Sequence, residues 1–351
     1  MADEQTTSMV PIEAIQVLDP KVVSGLELLP RHEVSKIEAH GESFWTRTAR
    51  LHIVGPKGTK FDGSYFLKTS FGKLGEEMMA SEFRSMSLIY ESAPRNLVPV
   101  VCAHGPYVTI PDVHFLICDF RPMTGEIPPP TVLVPEVAEM HRRSMSTADS
   151  RKYMFGSDFP TFHGNVRVDH GWSDSWEEYF TRTTRKLFET EQKTWGPNEE
   201  IEQMMAPFFD KVIPRLLRPL ETGGRSIQPC VIHGDMWHGN TGMDERYDRP
   251  IIFDAGSFYA HNEYELGVWR QPWNKLNETY RTEYRKHLRP SQPEEDWDDR
   301  NALYAVRVNI LDSILYKDDP SYRQMLISGM RELIDKFPGG FEEWEASHRE
   351  P

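Results

Sequence analysis

Apolar residues change their spacing near the middle of the chain. Between residues 34 and 120 they fall in short β-rich runs, and beyond about residue 130 they recur at helical intervals. Residues 43–54 and 64–68 read as strands separated by a Gly55-Pro-Lys-Gly58 turn, and the second strand ends on Lys68. Residues 75–91 set Met79, Phe83, Met86 and Ile89 or Tyr90 on one helical face, with Glu82 beside that stripe. Residues 98–102 and 113–118 predict two more strands. A Pro-rich run at 127–130 follows and makes a natural boundary. Residues 1–32, with Pro11, Pro20 and Pro30, predict an arm or short irregular elements.

The second half is mostly helical. Pro135 stands where a helix would begin. Residues 175–194 carry Trp176, Tyr179, Phe180, Leu187 and Phe188 among charged residues, the pattern of an amphipathic helix. Residues 199–220 predict a helix bent near Pro207 and Pro214. Residues 263–269 and the stretches after about 299 read as helical too. The expected fold is α+β with two lobes. Residues 1–32 form the arm. Residues 33–120 form a small antiparallel β lobe with one helix, and 121–351 a larger, mainly helical lobe.

Composition narrows the classes of function. At 351 residues there is enough chain for two lobes, and no apolar run approaches a membrane span. The opening Met-Ala-Asp-Glu has no signal-peptide character. Cys102, Cys118 and Cys230 are too few and too scattered for a disulfide framework or a metal site. They predict a reduced, cytoplasmic protein. A net charge of −14 argues against a general nucleic-acid binder but not against ATP, which needs only a local cationic pocket and metal.

The chemistry concentrates between residues 230 and 254. Val231 and Ile232 read as a short buried strand, followed by polar His233-Gly234-Asp235. Asn240 lies five residues after Asp235, and a second apolar strand, 250–253, ends on Asp254. Joined as a hairpin, the two strands would gather Asp235, Asn240 and Asp254 at one end. That trio suits phosphoryl transfer, which needs an acceptor for a hydroxyl proton and oxygen ligands for Mg²⁺. Asp235 is the candidate base, and Asn240 and Asp254 are the candidate metal ligands. The competing reading makes His-Gly-Asp an ordinary turn and Asp254 a strand terminus.

The order of elements before this stretch matches the small lobe of a protein kinase, in which a strand lysine contacts ATP phosphates and a helix glutamate holds it. Lys68 and Glu82 fit those roles. No Gly-rich GxGxxG covers the phosphates. Gly41 and Ser43 stand nearest to that position, Gly41 for close backbone approach and Ser43 as a donor. Cys118, Asp119 and Phe120 fall where a hinge would offer backbone groups to adenine. Residues 142–172, with Arg142, Arg143, Arg151, Lys152, His163, Asn165 and Arg167, predict a long loop acting as an acceptor lid.

His233-Gly-Asp-Met-Trp-His-Gly-Asn240 resembles the His-Gly-Asp-Leu-Trp-x-Gly-Asn signature of the fructosamine 3-kinase (ketosamine 3-kinase) family. Phe66-Leu-Lys68, Glu82-Phe-Arg-Ser-Met86, Glu139-Met-His141, Trp172-Ser-Asp-Ser-Trp176 and the segment from Phe253 to Leu266 are similar to that family in the same order. The likeness runs from about residue 33 to 320. It departs at Met236 and His238, and at residues 142–172, where the acceptor would be chosen. The resemblance implies an ATP- and Mg²⁺-dependent kinase of the sugar 3-hydroxyl of ketoamines, on free amines or protein lysines. Phosphorylation there makes the adduct fall away. The resemblance also places Trp237, with His233, on the acceptor side. The alternatives are a choline- or aminoglycoside-type kinase of the same fold, and a nucleotide-binding pseudokinase.

Overall fold

The computed structural model describes residues 10–28, 31–41, 43, 45–56, 63–145 and 154–348. Lys57 and Gly58 of the expected turn, and Arg151 and Lys152 of the expected lid, lie outside the described residues. The fold is mixed α/β, with an antiparallel sheet in the N-terminal part and a helical C-terminal part. The chain divides into two compact units. One is Met1–Pro128 with Asn240–Gly256, and the other is Pro129–Gly239 with Ser257–Pro351.

The first unit is built on five antiparallel strands, β1 (Glu33–Ala39), β2 (Arg47–Val54), β3 (Ser64–Phe71), β4 (Val101–Pro106) and β5 (Val113–Asp119), in the order β1-β2-β3-β5-β4. Alternate residues Ala49, Leu51 and Ile53 of β2 are buried, as are Val113, Phe115 and Ile117 of β5. That is a period-two pattern for one covered face, and Leu116, out of phase with it, is buried as well. The helix Gly72–Ser92 follows β3 directly and buries Met78, Met79, Met86 and Ile89. The stretch 98–100 was expected to begin a strand, but pairing starts at Val101. Pro99 lacks the N–H that a ladder needs.

The expected arm is built into this unit. Val10, Ala14, Ile15, Val22 and Leu26 join Leu51, Ile53 and Phe115 in one apolar core. Buried Asp19 caps the short helix Pro20–Gly25 through Lys21 N, 2.8 Å away. It also accepts from the N–H groups of Val108 and Thr109, both at 2.8 Å, and from the Thr109 hydroxyl. Burying a carboxylate demands this many donors.

The expected hairpin of 230–232 with 250–253 does not form. Cys230–Val231 pairs with Tyr259–Ala260, and Arg249–Ile252 pairs with Thr241–Asp244. This second hairpin belongs to the first unit. Ile252 N–H donates to Leu97 O at 2.9 Å, Thr124 N–H to Met243 O at 3.0 Å, and the buried Arg121 guanidinium pairs with Asp244.

The second unit holds the long helices. Ser175 caps Trp176–Trp195, and Trp176, fully buried, donates its indole N–H to the Tyr304 hydroxyl at 2.8 Å. Where the helix was expected to bend near Pro207, its regularity changes: Glu199–Pro207 is α-helical, Phe208–Val212 widens to a π turn, and Ile213–Leu217 resumes the α-helix with Pro214 in its first turn. Pro135 does not start a helix. Pro130–Met145 begins five residues earlier, and Pro135 sits inside it. Arg142 and Arg143 therefore lie on that helix, paired with Glu139, not in a loop. Within the described part of the expected lid, 154–172, short strands form: Phe155–Ser157 pairs with Gly171–Ser173, and Thr161–His163 with Val166–Val168. No helix among the described residues is long and apolar enough to cross a membrane.

Candidate functional site

In the first unit, β3 delivers Lys68 and the following helix delivers Glu82. Lys68 Nζ lies 2.7 Å from Glu82 Oε2 and 3.2 Å from Asp254 Oδ1. Burial opposes the lysine charge, yet the Asp254 and Glu82 carboxylates outweigh it and hold the ammonium above the ordinary lysine value. Burial likewise pushes the Glu82 carboxyl up against the pull of Lys68, with Asp254 adding to the rise. The three groups form one cluster of two carboxylates and one cation, a charge balance that a further cation would complete.

Asp254 is exposed and sits at φ +59°, a left-handed conformation that a non-glycine residue holds only where the surroundings impose it. Ile252 pairs with Thr241, and Phe253 N–H donates to Asn240 O at 3.1 Å, so the hairpin brings Asn240 up against the Asp254 turn. Asn240 and Asp254 offer only oxygen ligands of the kind Mg²⁺ takes, and Mg²⁺ needs few protein ligands when phosphates supply the others. The donor set therefore fits the ion. Among the described residues no group of three or more His, Cys, Asp or Glu side chains gathers into a metal site of another kind.

The other residues expected at the nucleotide are placed as follows. Gly41 is exposed at φ +80°. The Ser43 hydroxyl accepts from Trp45 N and Thr46 N, both at 3.3 Å, and from the Thr46 hydroxyl at 2.8 Å. It closes its own turn as an acceptor. Cys118 is in the ladder on both sides, opposite Phe66 and Val101. The N–H groups of Asp119 and Phe120 are bonded to Val100 O at 2.9 Å and Ser64 O at 3.0 Å. The donors expected there for adenine are thus taken up inside the sheet.

The second unit carries Asp235 on a loop braced from below. The Glu265 carboxylate accepts from two successive backbone groups, His233 N–H at 2.5 Å and Gly234 N–H at 3.0 Å. Burial raises the Glu265 carboxyl, but His141, 3.5 Å away, with His233 and the two backbone donors, holds it below the ordinary value. His141 is itself fixed by Tyr284 at 2.7 Å. Sequence reasoning missed Glu265 because its partners are backbone groups about thirty residues away. A glutamate flanked by apolar residues in Tyr-Glu-Leu was the available signal.

His233, expected at the acceptor, is fully buried, and its Nδ1 accepts from Asp235 N at 3.3 Å. It braces the loop, and burial keeps it from an acceptor. Trp237 is half-buried, with its ring 4.9 Å from His238 and 6.2 Å from Trp273. A Cβ on Gly239 would meet the Trp237 ring more closely than real Cβ atoms pack. The Trp-x-Gly of the motif is therefore a steric pair: the ring lies where only glycine leaves room.

Asp235 Oδ1 stands 3.3 Å from His163 Nδ1, and His163 Nε2 stands 3.9 Å from Asp312 Oδ1. Among the described residues of the expected lid, His163 is brought to the candidate base. Arg167 pairs with Asp169 at 3.0 Å.

A family model for fructosamine kinase matches residues 55–327. Ketosamine-3-kinase of Mus musculus is 36% identical over 121 residues, 34% of this chain and 36% of that one. A chloroplastic protein-ribulosamine 3-kinase of Arabidopsis thaliana is 24% identical over 214 residues, 59% of this chain and 58% of that one. The chain thus spans between about a third and three fifths of these curated relatives. A solved structure from Thermobifida fusca, provisionally named a fructosamine-3-kinase, gives a TM-score of 0.69 at 17% identity, covering 91% of this chain and 100% of that one. The aminoglycoside phosphotransferase APH(4)-Ia, in a ternary complex with AMP-PNP and hygromycin B, gives 0.58 at 15% identity over 86% and 94%. At such identities the two structures speak for the fold, which is kinase-like.

Proposed function

The chain belongs to the fructosamine kinase family, and from that premise we propose that it transfers the γ-phosphoryl group of ATP to a sugar hydroxyl of a ketoamine. The observation that carries the reading is buried Lys68, held 2.7 Å from Glu82 and 3.2 Å from Asp254. A strand lysine tied to a helix glutamate is what a phosphate-contacting cation requires.

In this reading Lys68 meets the phosphates of ATP, and Glu82 fixes its direction. Asp235 accepts the proton of the acceptor hydroxyl. Its loop is prevented from drifting by Glu265 beneath His233 and Gly234. Asn240 and Asp254 would hold Mg²⁺, which when bound neutralises charge on the phosphates. Trp237 offers an aromatic face to the acceptor. The hydroxyl is the one on the third carbon of the ketoamine sugar, and its phosphorylation releases the sugar from an amine or a protein lysine. Three free cysteines suit a reducing compartment such as the cytoplasm.

The test is ADP production with Mg·ATP and four acceptors: a fructosamine, a ribulosamine, choline and an aminoglycoside, each run beside Asp235→Asn. The expected result is turnover on the ketoamines, lowered about 10²- to 10⁴-fold in the variant, the range for loss of a general base. Higher turnover on choline or the aminoglycoside would overturn the acceptor and leave the kinase. Full activity of Asp235→Asn would remove Asp235 from the mechanism.

A further inference from the structure

His163 closes the strand Thr161–His163, which turns through Gly164 at φ +57° and Asn165 into Val166–Val168. A two-residue Gly-Asn connection fixes a hairpin tightly, so His163 is held by backbone as well as by its ring. Its side chain is 14% exposed and lies between two carboxylates, Asp235 at 3.3 Å from Nδ1 and Asp312 at 3.9 Å from Nε2. Asp312 comes from the helix Trp297–Leu315 and is buried. At 3.9 Å the Asp312 contact is an ion pair and not a hydrogen bond; an imidazolium is attracted to both carboxylates, whereas a neutral imidazole would turn a lone pair toward one of them.

The other charged and titratable groups around this pair do not replace it. Arg307, on the same helix as Asp312, donates to the Tyr264 hydroxyl at 2.8 Å and to the Thr184 hydroxyl at 2.9 Å. Tyr316 and Tyr322 face Asp312. Burial first, and then Asp312, raise both phenols, so they stay neutral.

We propose that His163 is a positioning residue for phosphoryl transfer: its imidazolium, anchored on Asp312, holds the Asp235 carboxylate in the one rotamer from which it takes the acceptor proton. The proposal rests on the kinase reading, because it needs a base to position. Burial disfavours the charged ring, but Asp235 and then Asp312 raise it to about 9, so it stays charged through neutral pH. Among the described residues of the expected lid, Arg142 and Arg143 pair with Glu139 and Arg167 with Asp169, away from this placement.

Two measurements on the full chain test this. The first follows the His163 ring by NMR of ¹³C-labelled histidine in the native chain and in Asp235→Asn. The ring titrates near 9 in the native chain and falls by about one unit or more once the neighbouring charge is gone. The second compares ketoamine turnover by the native chain and by His163→Gln across pH. The expected result is kcat lowered about 10- to 100-fold, the cost of a misplaced group, with the KM for Mg·ATP unchanged. The native chain also loses activity as pH rises through about 9, and the variant lacks that limb. An ordinary histidine titration in both proteins overturns the proposal. So does His163→Gln with native kcat or with the native alkaline limb. A chain that phosphorylates none of the four acceptors overturns the kinase reading instead, and the ring titration then decides by itself whether His163 holds Asp235.

Discussion

Replacing Glu265 with glutamine tests whether the loop under Asp235 is held electrostatically. The native carboxylate accepts two backbone hydrogen bonds, 2.5 Å from His233 N and 3.0 Å from Gly234 N. Glutamine keeps the shape and one acceptor oxygen. Its amide NH₂ must then face one of those N–H groups, donor against donor, in a site where Glu265 is 2% exposed. A buried unsatisfied donor costs about 1–3 kcal/mol, and the surviving bond falls from charged to neutral strength, about 1 kcal/mol more. The expected loss is about 2–4 kcal/mol. His141 loses its carboxylate partner as well. Thermal or urea unfolding measures the loss, and ADP release measures its effect on the base. The expected outcome is a clear drop in stability together with a kcat reduced about 10- to 100-fold and an unchanged KM for Mg·ATP. Stability within 0.5 kcal/mol of native, the range of an ordinary surface change, would refute the reasoning. A stability loss with native kcat would confine Glu265 to the fold.

Three further predictions follow from named groups. Asp254→Asn should fold normally, since asparagine tolerates the φ of +59°, yet lose most phosphoryl transfer, whereas Asp254→Ala should add about 1–2 kcal/mol of instability; unfolding curves that fail to separate the two would remove the strain argument. Gly239→Ala should push the Trp237 ring aside and raise the acceptor KM about tenfold, about 1.4 kcal/mol, leaving Mg·ATP untouched; an unchanged KM would take Trp237 off the acceptor. The His163 ring, raised from 6.5 to about 9, binds its proton more tightly in the folded chain, so its contribution is whole below pH 6.5 and disappears as pH rises through 9. The upper bound is about 3 kcal/mol at about 1.4 kcal/mol per unit. Urea midpoints from pH 6 to 10 should fall more steeply in the native chain than in His163→Gln, and parallel curves would remove the effect.

Local chemistry was readable in the sequence where the partners are close or the period is regular. The alternation of β2 and β5, the face of Gly72–Ser92 and the break in helical regularity after Pro207 are all short-range patterns. Lys68 and Glu82 were also legible, because the strand and helix that carry them follow one another directly. What escaped depends on long-range closure. Thr241–Asp244 has no apolar alternation, and it becomes a strand through Arg249–Ile252 and through Arg121 on Asp244. Asp19 looks like a loop acid until Val108 and Thr109 arrive some ninety residues later. Glu265 and Asp312 read as ordinary helix charges, and burial makes them more than that. The hydrogen bonds that take up the Asp119 and Phe120 N–H groups are likewise invisible in a string of residues.

The path of the chain through its two units limits how the protein can be recombined. Asn240–Gly256 folds with Met1–Pro128 although most of the second unit's sequence surrounds it. A chimera made with a single crossover near residue 128 would join a foreign Lys68 and Glu82 to a native Asp254, and a foreign Arg121 to a native Asp244. Exchange of the first unit between relatives therefore requires two inserts, the leading segment and the short internal one. Natural variation in the two segments should travel together for the same reason.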